Sequence, residues 1–64
     1  MKNKVAEKRK ELNISQEKLA ELSGVSRTSI ANLEQCKVDN ISLKSMKALS
    51  KVLKTPMVEL FFFR

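Results

Sequence analysis

Histidine, tryptophan and tyrosine are absent from this 64-residue chain, and glycine, proline and cysteine occur once each. Without histidine there is neither a Cys/His zinc spacing nor a Cys–His nucleophile pair. The lone Cys36 cannot close an internal disulfide, so a reducing compartment is expected. One Gly and one Pro are too few for a collagen-like or turn-rich all-β chain. No apolar stretch approaches the roughly 20 residues that span a bilayer, and the basic N-terminus is not followed by the apolar segment of a secretion signal. A cytoplasmic, unprocessed chain is therefore expected. The seven carboxylates are scattered, and no glycine-rich phosphate loop accompanies them. That composition argues against an enzyme and calls for no cofactor, metal or small-molecule ligand.

What remains is 42% hydrophobic and 31% charged, the balance of a compact helical domain. A chain this short buries only about 60% of its unfolded surface, so residues 1–64 are expected to form one domain with no room for a second, sensing one. Thirteen Lys and Arg against seven Asp and Glu give a net charge of +6. That excess favours a polyanionic partner, nucleic acid first and an anionic membrane surface second.

Start and stop signals divide the chain into five helical segments. From about Lys2 to Leu12, Val5 and Leu12 share one face of a thinly amphipathic basic helix. Asn13 suits a left-handed stop, and Ser15 caps a second helix from Gln16 whose buried stripe is Leu19, Ala20 and Leu22. Gly24 lies where that helix must stop. Ser26 then caps a third helix through Glu34, with Ile30 and Leu33 directed to the core. A loop covers Gln35 to Ile41, after which Ser42 caps a fourth helix carrying Leu43, Met46, Leu49, Val52 and Leu53. Thr55-Pro56 reads as a cap and first position for a short fifth helix through Met57, Leu60 and Phe61.

Two short helices joined by a Gly-containing turn form a helix-turn-helix, whose second helix can enter a DNA major groove. With Arg27 at zero and about 100° per residue, Ala31, Gln35, Thr28 and Asn32 fall near 40°, 80°, 100° and 140°. Ser29, Leu33, Ile30 and Glu34 occupy the opposite arc. One side is small and hydrogen-bonding and the other carries apolar anchors, as a helix between core and groove requires. Arg27 can donate bidentately to guanine O6 and N7, Asn32 can pair with adenine N6 and N7, and Thr28 can meet a base edge or a thymine methyl.

The run from Ser15-Gln16-Glu17-Lys18-Leu19-Ala20 through Gly24-Val25-Ser26-Arg27-Thr28-Ser29-Ile30 resembles the phage-repressor and Cro (lambda repressor-like, XRE-type) family of helix-turn-helix proteins. The likeness continues through Leu33-Glu34, Asn40 to Leu43 and the apolar positions up to Phe61. It implies an all-α, five-helix DNA-binding fold with helix 26–34 in the major groove of double-stranded DNA. Arg27, Thr28 and Asn32 match the base-reading positions. Gln16 corresponds to a glutamine that contacts phosphate and supports the reading side chains, while Ser26 and Ser29 lie near the DNA backbone. Lys37 is a further candidate for a phosphate. Arg9 and Glu34 match an arginine and glutamate that pair between the first and third helices in some phage repressors. Cys36 and Lys54 stand where the family often has glycine, and Ile41 where it often has proline. The remaining lysines, Lys2, Lys4, Lys44, Lys47, Lys51 and Lys54, read as diffuse solvated charge.

One recognition helix reads too few base pairs to single out one genomic site, so a homodimer on an inverted-repeat operator is expected. Val58, Leu60, Phe61, Phe62 and Phe63 offer more apolar surface than a short helix buries on one side, and are assigned to the dimer interface. A transcriptional repressor is the leading reading, with an antitoxin or a restriction-modification controller sharing the same chemistry. A basic protein-interaction or membrane-surface module, anchored by the Phe-rich tail, is the reading from another class.

Overall fold

Three serines set the starts of three helices in the computed structural model, which describes residues 2–38 and 41–61. Ser15, Ser26 and Ser42 accept hydrogen bonds from the backbone N–H groups of Lys18, Ser29 and Ser45 at 2.9, 3.1 and 3.1 Å. Each such cap satisfies one orphan donor and contributes about 1 kcal/mol. The described residues form α1 (Val5–Glu11), α2 (Gln16–Ser23), α3 (Arg27–Glu34), α4 (Leu43–Leu53) and α5 (Met57–Phe61), with no strand among them.

The helix ends show where the local signals compete with tertiary bonds. Helix α1 begins at Val5, not near Lys2, because the residues before it are engaged elsewhere. The Lys4 N–H donates to the Leu60 carbonyl at 2.9 Å, and the Asn3 side chain donates to the Leu33 carbonyl at 2.8 Å. The start of α5 also differs from the expected cap. The Thr55 hydroxyl donates to the Leu53 carbonyl at 3.0 Å, and Thr55 is buried. The first bonds of α5 run instead from Glu59 and Leu60 N–H to the Pro56 carbonyl.

Among the described residues, four turns pass through left-handed backbone, at Asn13 (φ 57°), Gly24 (φ 78°), Cys36 (φ 60°) and Lys54 (φ 54°). Glycine adopts this region without a Cβ clash and asparagine tolerates it. Cys36 and Lys54 do neither, so the chain keeps the turn geometry and bears strain of about 1–2 kcal/mol at each. Lys54→Gly and Cys36→Gly are therefore expected to stabilise by about 0.5–1 kcal/mol each, after the entropy cost of glycine is subtracted. Higher urea midpoints would agree; midpoints lowered in both variants would show that glycine's entropy cost outweighs the relief of strain.

Val5, Leu19, Ile30, Leu33, Leu49, Leu53, Leu60 and Phe61 form the core, drawing on all five helices. Helix α4 packs against α2, α5 and α1, while α3 packs against α2 and α1. Three expected core residues lie outside it: Leu12, Leu22 and Leu43 are all exposed. On α2, with Leu19 at zero, the partly buried Ser23 and Ala20 fall near 40° and 100°, whereas Leu22 falls near 300°. The buried arc runs toward Ala20, leaving Leu22 on the far side. Leu43 is the first residue of α4 and overhangs the core.

Two residues expected at a dimer interface are core residues instead. Leu60 is 0% and Phe61 6% exposed, so both belong to the monomer core and cannot face a second subunit. The Lys4–Leu60 backbone bond and the Lys8–Glu59 ion pair at 3.6 Å pin α5 against α1 and turn these side chains inward. Val58 is 63% exposed. Phe62 and Phe63 lie outside the described residues.

Candidate nucleic-acid interface

Helix α3 is anchored by its own apolar arc. Ile30 and Leu33 are buried, while Arg27, Thr28, Asn32 and Gln35 are exposed and Ala31 is half-buried. The turn before it is held by Gly24, whose N–H donates to the Ala20 carbonyl at 2.9 Å, and by the Ser23 hydroxyl, which accepts from the Val25 N–H at 3.2 Å. These bonds close α2 and reopen the chain as α3 within three residues.

At the start of α3, the Ser26 hydroxyl donates to the Ser29 hydroxyl oxygen at 2.8 Å while accepting the Ser29 N–H. Both serines are exposed. Their oxygens and the first N–H groups of the helix form one polar edge, of the kind that positions a phosphate. At the other end, the Lys37 N–H donates to the Asn32 carbonyl at 2.9 Å, and the Lys37 side chain is exposed.

Behind the helix sits a charged network. Arg9 Nε donates to Glu34 Oε2 at 2.7 Å and Arg9 Nη2 to Glu34 Oε1 at 3.1 Å, a two-pronged arrangement. Arg9 Nη1 donates to the Ile14 carbonyl at 2.7 Å. Gln16 Nε2 donates to Glu34 Oε1 at 3.0 Å. The Arg9 and Glu34 side chains are only 13% and 7% exposed, so the pair is largely removed from water. Burial works against the Glu34 charge, but hydrogen bonds from Arg9 and Gln16 and the charges of Arg9 and Lys10 outweigh it and lower its pKa. The hydrogen bond to Glu34 raises Arg9 above its ordinary value, against the effect of burial.

This network joins α1, α2 and α3 through one carboxylate. It also holds Gln16: one amide hydrogen is committed to Glu34, leaving the second and the carbonyl oxygen for a ligand. The family resemblance implied the pairing of Arg9 with Glu34, but neither it nor the residue pattern pointed to the bonds of Gln16 and Asn3. Gln16 is 18 residues from Glu34 and Asn3 is 30 from Leu33, and no local pattern signals either bond.

Among the described residues, no cluster of metal-binding side chains occurs and no helix is long and apolar enough to cross a membrane. A helix-turn-helix family model matches residues 5–60. Control protein C.SmaI of Serratia marcescens is 44% identical to this chain over 48 residues, which cover 75% of this chain and 56% of the relative. The chain thus spans a little over half the length of that control protein.

Proposed function

The chain belongs to the XRE-type helix-turn-helix family of DNA-binding transcription regulators, with a lambda repressor-like fold, and from that premise we propose that it is a repressor that reads an inverted-repeat operator as a homodimer. Helix 26–34 enters the major groove. Arg27, Thr28 and Asn32 read base edges, and Gln16, Ser26, Ser29 and Lys37 position the backbone. The observation that carries this reading is the division of α3, whose exposed arc bears Arg27, Thr28 and Asn32 while Ile30 and Leu33 are buried. A base-reading helix needs a free polar arc on a rigid mount, and the Arg9–Glu34–Gln16 network behind α3 supplies the mount.

Dimerisation follows from the information that one helix can read. Two recognition helices about 34 Å apart match successive major-groove faces of one duplex. Val58 is the exposed apolar residue of α5 among those described. Sedimentation as a monomer at high micromolar concentration would reject the dimer. The likeness to a control protein favours a second reading with the same DNA chemistry, a restriction-modification controller.

Selection from a randomised duplex library at near-physiological salt tests the proposal. An inverted repeat is the expected product. Arg27→Ala and Asn32→Ala should each lose about 1–3 kcal/mol of discrimination, roughly 5- to 150-fold, at the base each one reads. Enrichment of nothing above background, or preferences unchanged in both variants, would leave only charge-driven binding.

A further inference from the structure

The net positive charge of this protein is not on its recognition helix. Helix α3 carries Arg27 and Glu34 and is neutral in sum. Residues 43–54 hold Lys44, Lys47, Lys51 and Lys54 with no carboxylate, so they contribute four of the six net charges. With Lys44 at zero, Lys47 and Lys51 fall near 300° and 340°, within an arc of about 60°, and Lys54 follows as the left-handed residue that ends the helix. The buried Leu49 and Leu53 lie near 140° and 180°, across the helix from the lysines.

All four lysines are exposed, and none has an ion-pair partner among the described residues. Elsewhere on the surface, Lys8 pairs with Glu11 and Glu59, and Lys18 with Glu21. On α4, by contrast, like charges stand three and four residues apart, a spacing that disfavours the helix. The stripe also belongs to an element that packs on α2, α5 and α1, whereas α3 packs on α2 and α1. It begins at the end of α4 that meets α3, where Ser42 and Ser45 share a groove with Ser29 and Leu33, and runs on along a different helix from the Arg27–Asn32 arc.

We propose that the lysine face of α4 is a second polyanion-binding surface, which holds the phosphodiester backbone of duplex DNA without reading its sequence. The proposal rests on the DNA-binding reading above and adds the face of another helix to it. From Lys44 to Lys54 the row extends about 15 Å along the helix axis. One strand of a duplex rises about 3.4 Å along its axis per phosphate while winding away, so only the few phosphates on the facing side lie opposite the row. Lysine ammoniums are point charges that accept any phosphate register. The arc carries no aromatic ring on which an unpaired base would stack, which favours duplex over single strand. The backbone can come from the flanks of the bound site or from a second duplex.

The test compares the full chain with the triple variant Lys47→Gln/Lys51→Gln/Lys54→Gln. A control of equal net charge is Lys2→Gln/Lys10→Gln/Lys18→Gln. Binding is measured against salt concentration on the duplex selected by the wild type and on a random duplex, each with and without ten flanking base pairs. The α4 variant should melt no lower than wild type. Its log–log salt slope should fall by about 0.9 for each phosphate that is no longer neutralised, up to about 2.7, and more than in the control. Affinity for selected and random duplexes should fall by the same factor, leaving their ratio intact. A change confined to the flanked duplexes assigns the backbone to the flanks. Loss of capture of a second, differently labelled duplex assigns it to another molecule.

An unchanged slope overturns the proposal, as does an equal change in the control. A collapse of the selected-to-random ratio also overturns it, because the face would then be reading sequence. A wild-type slope combined with weaker retention on immobilised polyglutamate would give the face to an acidic protein instead. A wild type that fails to distinguish selected from random duplex rejects the operator reading, while the slopes still decide the α4 face.

Discussion

Arg9→Ala is expected to destabilise the protein by about 3–5 kcal/mol, since removing one partner leaves a buried charge without compensation. Glu34, 7% exposed with Arg9 in place, would keep only Gln16 as a donor, and the Ile14 carbonyl would lose its guanidinium donor. A stability of about 3–10 kcal/mol is ordinary for a chain of this size, so the variant approaches or crosses the unfolding threshold. A double-mutant cycle with Glu34→Gln isolates the pair, and an interaction energy near zero would reject the coupling. Lys10→Ala, an exposed change on the same helix, should stay within about 0.5 kcal/mol.

The same carboxylate sets an acid limit on stability. Glu34 has a lowered pKa in the folded state, so its contribution is fully present above its unfolded value of about 4.3. As the pH falls below that value the contribution is lost, and it is gone once the pH passes through the lower folded value. Glu34→Gln should flatten the stability profile in that acid window. Equally steep profiles for wild type and variant would assign acid sensitivity to other carboxylates.

Leu49→Ala should have the next largest effect, a loss of about 2–5 kcal/mol. Leu49 is fully buried on α4, the helix that packs against α2, α5 and α1, so a void there weakens the packing of several elements at once. For a chain of this length the corresponding fall in melting temperature is roughly 8–40 °C. Leu22→Ala is the contrasting change: Leu22 is 52% exposed, and its truncation should shift stability by no more than about 0.5 kcal/mol. Equal destabilisation by the two variants would contradict the burial pattern on α2.

Much of the candidate site was legible because its signals are local. Arg27, Thr28 and Asn32 fall on one arc by helical geometry alone, and Ile30 and Leu33 mark the opposite arc by their side-chain chemistry. The roles of Gln16 and Asn3 were less accessible. A short polar side chain names the bonds that it can make, but not the distant group that folding brings within about 3 Å of it.

By itself the sequence determined the helical class, the helix starts at Ser15, Ser26 and Ser42, the stops at Asn13 and Gly24, and the polar arc of α3. These depend on interactions within one or two turns, where residue type and spacing are sufficient. Only the tertiary structure decided that Leu60 and Phe61 fill the monomer core, that Leu22 and Leu43 do not, and that the Glu34 carboxylate gathers Arg9 and Gln16. It likewise left the three lysines of α4, and Lys54 just after it, exposed. Burial depends on which arc of a helix meets its neighbours, and that choice is made by the packing of all five helices together.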